Sequence, residues 1–136
     1  MSRKTKVLDS WPIVAFFEDQ QPAAEKVEAL LAEAHESGSL LLITTVNLGE
    51  VWYSIARAHS AKDADKKVSE IGGLGIEVVS AGWDLSYEAA MLKAKGNISY
   101  ADCFALALAK MKKADLVTGD KEFEQFESEV KILWMK

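Results

Sequence analysis

The chain has 136 residues and a mass of 14.9 kDa, which is the size of one domain with a core of its own. Apolar residues make up 49% and charged residues 27%, which excludes an intrinsically disordered chain, a collagen-like repeat and a coiled coil. The net charge of −5 argues against a protein that coats nucleic acid by neutralising phosphates, but it leaves a nucleic-acid enzyme open, because bound divalent cations can invert the field at one site.

Five short apolar runs predict β-strands. In chain order they are residues 6–8, 40–43, 76–79, 116–118 and a possible last strand at 130–134. Short runs that are almost continuously apolar are typical of strands buried on both faces of a parallel sheet.

The segments between the strands have the apolar periodicity of helices. They are residues 11–17, residues 22–37, the stretch after Thr45, residues 63–70, the stretch that ends at Gly96 and the stretch after Ser99. Thr45 and Ser99 are candidate N-caps. The residues of the last helix that we expect to face inward are Ala101, Phe104, Ala105, Leu108 and Met111.

Strands and helices alternate along the whole chain, which favours an α/β sandwich. We therefore expect residues 1–136 to form a single domain of three layers, with a central, mostly parallel sheet and helices on both faces. The only cysteine, Cys103, excludes an internal disulfide and favours a reducing compartment, so we expect a cytoplasmic protein.

Acidic residues lie close to the ends of the predicted strands. Asp9 comes directly after the first strand, and Asp120 follows the fourth after one glycine. Glu50 lies about one turn into the helix after the second strand, and Asp102 lies in the first turn of the last helix. Ligands bind at the carboxyl edge of open α/β sheets, and we expect all four carboxylates to converge there if that last helix begins at the same edge.

Each acid taken singly also has a structural explanation. Helix dipoles favour acids in first turns, Asp102 can form a capping box with Ser99, and Asp120 is compatible with a turn. The acids nevertheless have apolar neighbours such as Trp52 and Ala101, and burial of unpaired carboxylates is costly. A hard divalent cation removes that cost, so the set as a whole predicts a Mg²⁺ or Mn²⁺ site.

Four segments carry a family resemblance. They are residues 7–10 (VLDS), 47–51 (NLGEV), 99–107 (SYADCFALA) and 116–123 (LVTGDKEF). In order and spacing they resemble the successive motifs of PIN-domain proteins, and most closely those of the small VapC-type ribonuclease toxins of prokaryotic toxin–antitoxin pairs. No single motif is specific, whereas the ordered set covers nearly the whole chain.

The resemblance implies a parallel sheet of four or five strands and a ribonuclease site that depends on Mg²⁺ or Mn²⁺. The positions that match the family's acidic quartet and its hydroxyl residue are Asp9, Glu50, Asp102, Asp120 and Thr118. Ser10 matches the polar residue after the first acid, whereas Trp11 stands where members commonly carry a small residue. The resemblance also implies a homodimer and a VapB-like antitoxin as partner.

The predicted mechanism is hydrolysis by activated water. We expect Asp9 and Asp102 to be the main metal ligands, joined by Asp120 directly or through water. Glu50 would orient or deprotonate the attacking water. A ribonuclease that works through the RNA 2′-hydroxyl would instead want a pair of bases such as histidines.

The two histidines and the cysteine have non-catalytic interpretations. His35 and His59 fall near the polar ends of two helices, and we expect both at the surface. Cys103 follows Asp102, but successive helix positions diverge by about 100°, so we expect this thiol to be a small buried hydrophobe.

Candidate surfaces for substrate and partner are less specific. Basic residues that would hold RNA phosphates, or would simply be solvated, are Arg57, Lys93, Lys95, Lys110, Lys112 and Lys113. Tyr100 would stack on a base or pack at its helix N-terminus. A groove between the helices at 11–17 and 22–37 would receive an antitoxin segment, unless packing on the sheet uses all the apolar residues of the first helix.

Two other classes of function remain open. A catalytically inactive PIN-like module would only bind, and the presence of all four acids argues against it. Another metal-dependent phosphotransfer fold, such as a receiver domain, needs an acidic pair after the first strand and an aspartate after the third. At those places the sequence has only Asp9 and Ser80.

Overall fold

The five strands within the described part of the chain run parallel. The computed structural model describes residues 4–136, and its strands are β1 (Thr5–Leu8), β2 (Leu40–Thr44), β3 (Ile76–Val79), β4 (Asp115–Thr118) and β5 (Ile132–Trp134). Their order in the sheet is β3-β2-β1-β4-β5, which places β1 in the centre. All five predicted strands are present, and the last begins two residues later than predicted.

Helices cover both faces of this sheet, as the sequence predicts. They are α1 (Ser10–Phe17), α2 (Ala23–Ser37), α3 (Thr45–Ala58), α4 (Ala61–Ser69), α5 (Trp83–Lys95) and α6 (Tyr100–Lys112), with short 3₁₀ turns at Gly72–Leu74 and Lys121–Phe126. Helices α1 to α4 pack on one face, and α5 and α6 pack on the other. Within residues 4–136, none of these helices is long and apolar enough to cross a bilayer.

Successive strand residues belong to different layers of the core. Val7 and Leu42 pack with α5 and α6, whereas Leu8, Leu41 and Ile43 pack with the helices of the opposite face. Strand side chains alternate between faces, and here both faces are buried. This explains why the strands are continuously apolar instead of alternating between apolar and polar residues.

Two details of the predicted helices are wrong. The N-cap of α3 is Thr44, whose side-chain oxygen accepts a hydrogen bond from the Asn47 backbone N–H at 3.0 Å, and Thr45 is already helical. Met111 is 47% exposed, because the buried stretch of α6 ends at Ala109 and the last turn extends into solvent. The N-cap of α6 is Ser99 as predicted, and its Oγ accepts from the Asp102 N–H at 3.1 Å.

Short connections bring helix N-termini to the carboxyl edge of the sheet. Asp9 is the extended N-cap residue between β1 and α1, and its backbone N–H donates to the Val117 carbonyl of β4. Thr44 likewise joins the end of β2 to the start of α3 as the extended N-cap residue, and its side chain also caps the helix, which that of Asp9 does not. Side chains in the first turns of these helices therefore lie close to the strand ends.

Candidate metal centre

The four acids singled out in the sequence lie in one cavity at the carboxyl edge of the sheet. The cavity has a volume of about 370 Å³ and is lined by Asp9, Ser10, Trp11, Val14, Gln20, Glu50, Ser54, Ser99, Asp102, Asp120 and Glu122. Within the described part of the chain, no basic side chain lines it. The convergence predicted for the four carboxylates is thus present in the structure.

Three of these acids form a tight group. One carboxylate oxygen from each of Asp9, Glu50 and Asp102 lies within 4.8 Å of the other two. Asp9 is 1% exposed and Asp102 is 7% exposed, whereas Glu50 is half-buried. Asp120 lies outside this group of three, although it lines the same cavity and affects the pKa values of Asp9 and Asp102.

Asp9 is held by one of its two carboxylate oxygens. Thr118 Oγ1 donates to Asp9 Oδ2 at 2.9 Å, and the same hydroxyl oxygen accepts from the Asp120 N–H at 3.0 Å. Asp9 Oδ1 is buried and makes no hydrogen bond to any of residues 4–136. A buried oxygen without a donor is costly, so this atom points to a ligand that the protein itself does not supply.

Glu50 is oriented by two donors on the same oxygen. Ser10 Oγ donates to Glu50 Oε1 at 3.0 Å, and Asn47 Nδ2 donates to it at 3.1 Å. Asn47 is fully buried, and its Nδ2 also donates to the Ala101 carbonyl at 3.1 Å, next to Asp102. Thr44 Oγ1 donates to Asn47 Oδ1, which fixes the orientation of the amide.

Asn47 supports this site from behind, and the sequence pattern alone predicts no role for it. It joins β2, α3 and α6 through the hydrogen bonds of one side chain. A signal was available, because residues three apart on a helix are neighbours and Asn47 precedes Glu50 by three. Its contact with Ala101, 54 positions away in the chain, could not be predicted from spacing.

The pKa values show how unfavourable this cluster is without a cation. Burial raises the pKa of Asp9 from 3.8 to about 7, with smaller contributions from the charges of Glu50 and Asp120, although the hydrogen bond from Thr118 lowers it. The pKa of Asp102 is raised from 3.8 to about 8, mainly by burial and also by the charges of Asp9, Asp120 and Glu50. Both shifts reflect carboxylates that lack a positive partner.

The arrangement fits a hard divalent cation. Its donors are carboxylate oxygens, which Mg²⁺ and Mn²⁺ prefer, and two of them are buried where negative charge is most costly. The unpartnered Asp9 Oδ1 offers a ligand atom without breaking any existing hydrogen bond. These residues are therefore chemically suited to a metal that the family resemblance implies.

The histidines and the cysteine lie where the sequence predicts. His35 is exposed on α2, and His59 is exposed and pairs with Glu18 at 2.9 Å, which raises the pKa of its imidazole. Cys103 is fully buried, and burial raises the pKa of its thiol. None of these three side chains lines the acidic cavity.

The basic residues predicted as candidates for holding RNA phosphates do not line the acidic cavity, as far as the described residues 4–136 show. Arg57 lies over the Tyr53 ring, Lys93 donates to the Ile98 carbonyl, and Lys110 pairs with Glu129 at 2.7 Å. Lys112 is ten residues along α6 from Asp102, which is about 15 Å along the helix axis. We therefore interpret these basic side chains as ordinary surface residues and not as ligands of RNA phosphates.

The fold and the cavity together define an α/β domain with a carboxylate site at the end of a parallel sheet. The family model described as the PIN domain matches residues 6–129. This chain belongs to the PIN domain family. No curated protein sequence matches the chain.

Solved structures with the same fold include toxins of toxin–antitoxin systems. VapBC from Salmonella typhimurium, bound to DNA, has a TM-score of 0.75 at 14% identity over 99% of this chain and 100% of that one. VapC20 of Mycobacterium tuberculosis, a sarcin-ricin loop cleaving toxin, has a TM-score of 0.73 at 15% identity over 88% and 93%. VapBC2 from Rickettsia felis, bound to a promoter DNA fragment, has a TM-score of 0.72 at 15% identity over 97% and 99%.

Proposed function

We propose that this chain is an endoribonuclease that depends on Mg²⁺ or Mn²⁺ and is the toxin of a toxin–antitoxin pair. The observation that carries the proposal is the group formed by Asp9, Glu50 and Asp102, with an unpartnered oxygen on Asp9. Membership of the PIN family and the likeness in fold to VapC toxins support it.

Asp9 and Asp102 are the residues that would hold the ion. Asp9 offers Oδ1 while Thr118 keeps Oδ2 in place, and Asp102 projects from the first turn of α6. Asp120 would contribute directly or through a water, and its Oδ1 already accepts from the Glu122 N–H at 3.0 Å. When bound, a divalent ion lowers the pKa of water and neutralises charge on the attacked phosphate.

Glu50 is the candidate for the group that accepts a proton from the attacking water. Its Oε1 is occupied by Ser10 and Asn47, and its Oε2 makes no hydrogen bond within residues 4–136. One oxygen is thus fixed while the other stays available as a proton acceptor. As the water oxygen bonds to phosphorus, its proton passes to Glu50, the bond to the departing sugar oxygen breaks, and that oxygen takes up a proton from solvent water.

Cleavage of labelled cellular RNA tests the proposal. Wild-type protein with Mn²⁺ or Mg²⁺ should cut RNA at bonds that end mapping can locate, and chelator should abolish the cuts. Asp9→Asn should reduce cleavage to background, because it removes a buried ligand. Asp63→Asn is the matched control, since Asp63 is an exposed acid on α4 and the charge change is the same.

The result also decides between the enzyme and an inactive binding module. Full cleavage by Asp9→Asn would refute the assigned site, and cleavage that survives chelation would refute the metal dependence. If the wild type binds RNA but never cuts it, the inactive module is the better description.

We further propose a VapB-like antitoxin as partner. A cavity of about 790 Å³ lies beside α2, lined by Phe16, Leu31, Ala34 and Leu41 and by the glycine-rich segment 72–75 among others. It lies between α2 and that segment, and α1 contributes Phe16, whereas the sequence analysis placed the groove between α1 and α2. Copurification with the product of the adjacent reading frame, weakened by Leu31→Glu, tests this partner.

We also propose that the chain folds as a single domain, forms a homodimer and is located in the cytoplasm. A surface for a second copy is available on α5, where Trp83, Tyr87 and Met91 recur every four residues and are 74%, 49% and 38% exposed. Sedimentation equilibrium of the wild type and of Trp83→Glu tests the dimer, which the charge should dissociate.

A further inference from the structure

We propose that Trp11 is a stacking platform for an unpaired base of the RNA, next to the bond that is cut. The inference rests on the proposed ribonuclease function and names the form of RNA that the site takes. It concerns the residue at which the sequence departs from the family pattern.

Trp11 reaches the acidic cavity from the first turn of α1. It follows Asp9 by two positions and lines the same cavity as Asp9 and Asp120. The pairing of Leu8 with Val117 brings the start of α1 opposite Gly119, the residue between Thr118 and Asp120. The indole therefore lies beside the proposed metal ligands.

The indole packs directly on the backbone of Gly119. A Cβ added at Gly119 would lie 2.3 Å from Trp11 Cζ3 and 2.4 Å from two other atoms of the six-membered ring. Gly119 does not have a positive φ, so its backbone would accept a side chain and only the ring forbids one. The ring is thus held in place before any ligand binds.

The composition of the cavity explains what this ring would do. Of the residues that line the cavity, Trp11 is the only aromatic one and none is basic, so the described chain offers no cation for RNA phosphates there. The flat ring offers a base a surface on which to stack, and a platform that is already ordered loses little entropy on binding.

The position of the ring selects single-stranded RNA. A base is joined to its own phosphate through one sugar, so a ring beside the phosphate site is within reach of an adjacent base. Stacking on an aromatic side chain requires a base that is not stacked in a helix, as in loops and single strands. A paired substrate would leave this surface unused.

The first test compares Trp11→Leu with Trp11→Phe on a labelled 20-nucleotide single-stranded RNA of mixed sequence. Loss of the aromatic ring in Trp11→Leu should weaken binding by about 5- to 150-fold, measured by anisotropy and as a higher KM, and Trp11→Phe should retain most of the affinity. The Mn²⁺ concentration for half-maximal cleavage should not change, and thermal unfolding confirms that both variants fold.

The second test locates the base. Single abasic positions are introduced around a mapped cut, and one of them should weaken the wild type but have no effect on Trp11→Leu. Gly119→Ala should act like Trp11→Leu, because the new methyl group displaces the ring, and should have no further effect when combined with Trp11→Leu.

Each outcome separates this inference from the proposed function. RNA cleavage with no difference between wild type and Trp11→Leu overturns the role of Trp11 alone. Binding that depends on Trp11 without cleavage overturns the nuclease and leaves the stacking platform. Absence of both cleavage and binding overturns both, and a Trp11→Leu variant that loses only its antitoxin would show that the ring contacts protein instead.

Discussion

The charged side chains at the two ends of α6 differ in burial and in pairing. At its start, Asp102 is 7% exposed and lies among other carboxylates in a cavity without a basic side chain from the described residues. Near its end, Lys110 pairs with Glu129 at 2.7 Å, and both side chains are about 40% exposed. The exposed pair contributes little to the free energy of unfolding. The buried acids, in contrast, destabilise the fold unless a cation is bound, so stability is lower at the end of α6 where the proposed chemistry takes place.

The largest expected effect is a loss of activity when Glu50, in the acidic cavity at the start of α6, is substituted. Glu50→Gln keeps the shape of the side chain and an oxygen for Ser10 and Asn47, but it removes the proton acceptor. We expect kcat to fall by about 10² to 10⁴, measured by single-turnover RNA cleavage. Glu124→Gln, an exposed change of the same charge, should be unaffected. Equal activity of Glu50→Gln and wild type would remove Glu50 from the mechanism.

The pH dependence of stability is the next largest effect. The folded-state pKa of Asp9, about 7, lies above its ordinary value of 3.8, so the native state holds a proton that the unfolded state has released. Stability of the metal-free protein should therefore fall as pH rises from about 4 to 8, by about 4 kcal/mol for Asp9 alone. Asp102, with a pKa of about 8, changes stability in the same direction.

Urea unfolding in chelator at pH 5, 6.5 and 8 measures this dependence. Asp9→Asn should flatten the profile and raise stability at pH 8, although it abolishes cleavage. Saturating Mn²⁺ should restore stability to the wild type at pH 8, because it binds only the native state. A wild-type profile that is flat in chelator would contradict the burial of uncompensated acids.

A smaller effect is expected for Asn47, which bonds both Glu50 and the backbone carbonyl next to Asp102. Asn47→Ala removes a donor from Glu50 and leaves the Ala101 carbonyl without that partner. We expect Mn²⁺ affinity to fall by about 10- to 100-fold, measured by calorimetry, because Asn47 fixes the backbone at Ala101 next to the proposed ligand Asp102, and groups behind metal ligands orient them. Asn97→Ala, at an exposed position, should leave affinity unchanged.

The smallest effect is expected at the other end of α6. Lys110→Met removes the exposed pair with Glu129 and should change the free energy of unfolding by less than about 1 kcal/mol. RNA cleavage should be unchanged, since Lys110 is eight residues, about 12 Å, from Asp102 along the helix. A large loss of activity would instead place this basic end of α6 on the path of the RNA.

Local sequence patterns were enough to predict the sheet and the acids at its edge. The strands are short and apolar because both faces are buried. Asp9 and Asp120 follow strand ends closely, Asp102 lies in the first turn of α6, and Glu50 lies in the second turn of α3. Local patterns do not fix the helix limits: the sequence predicts Thr45 as the cap of α3, whereas Thr44 fills that position, because either hydroxyl fits the same local pattern.

The sequence by itself determined which residue types follow the strands and begin the helices, because periodicity and chain order place them there. That α6 begins at the same edge as the other acids was decided by the tertiary structure. Only the tertiary structure decided that Asn47 bridges α3 and α6, that Asp9 has one oxygen without a partner, and that the Trp11 ring rests on Gly119. These features depend on residues that are distant in the chain. Their relative positions are set by how the helices pack on the sheet, and no local sequence pattern encodes that packing.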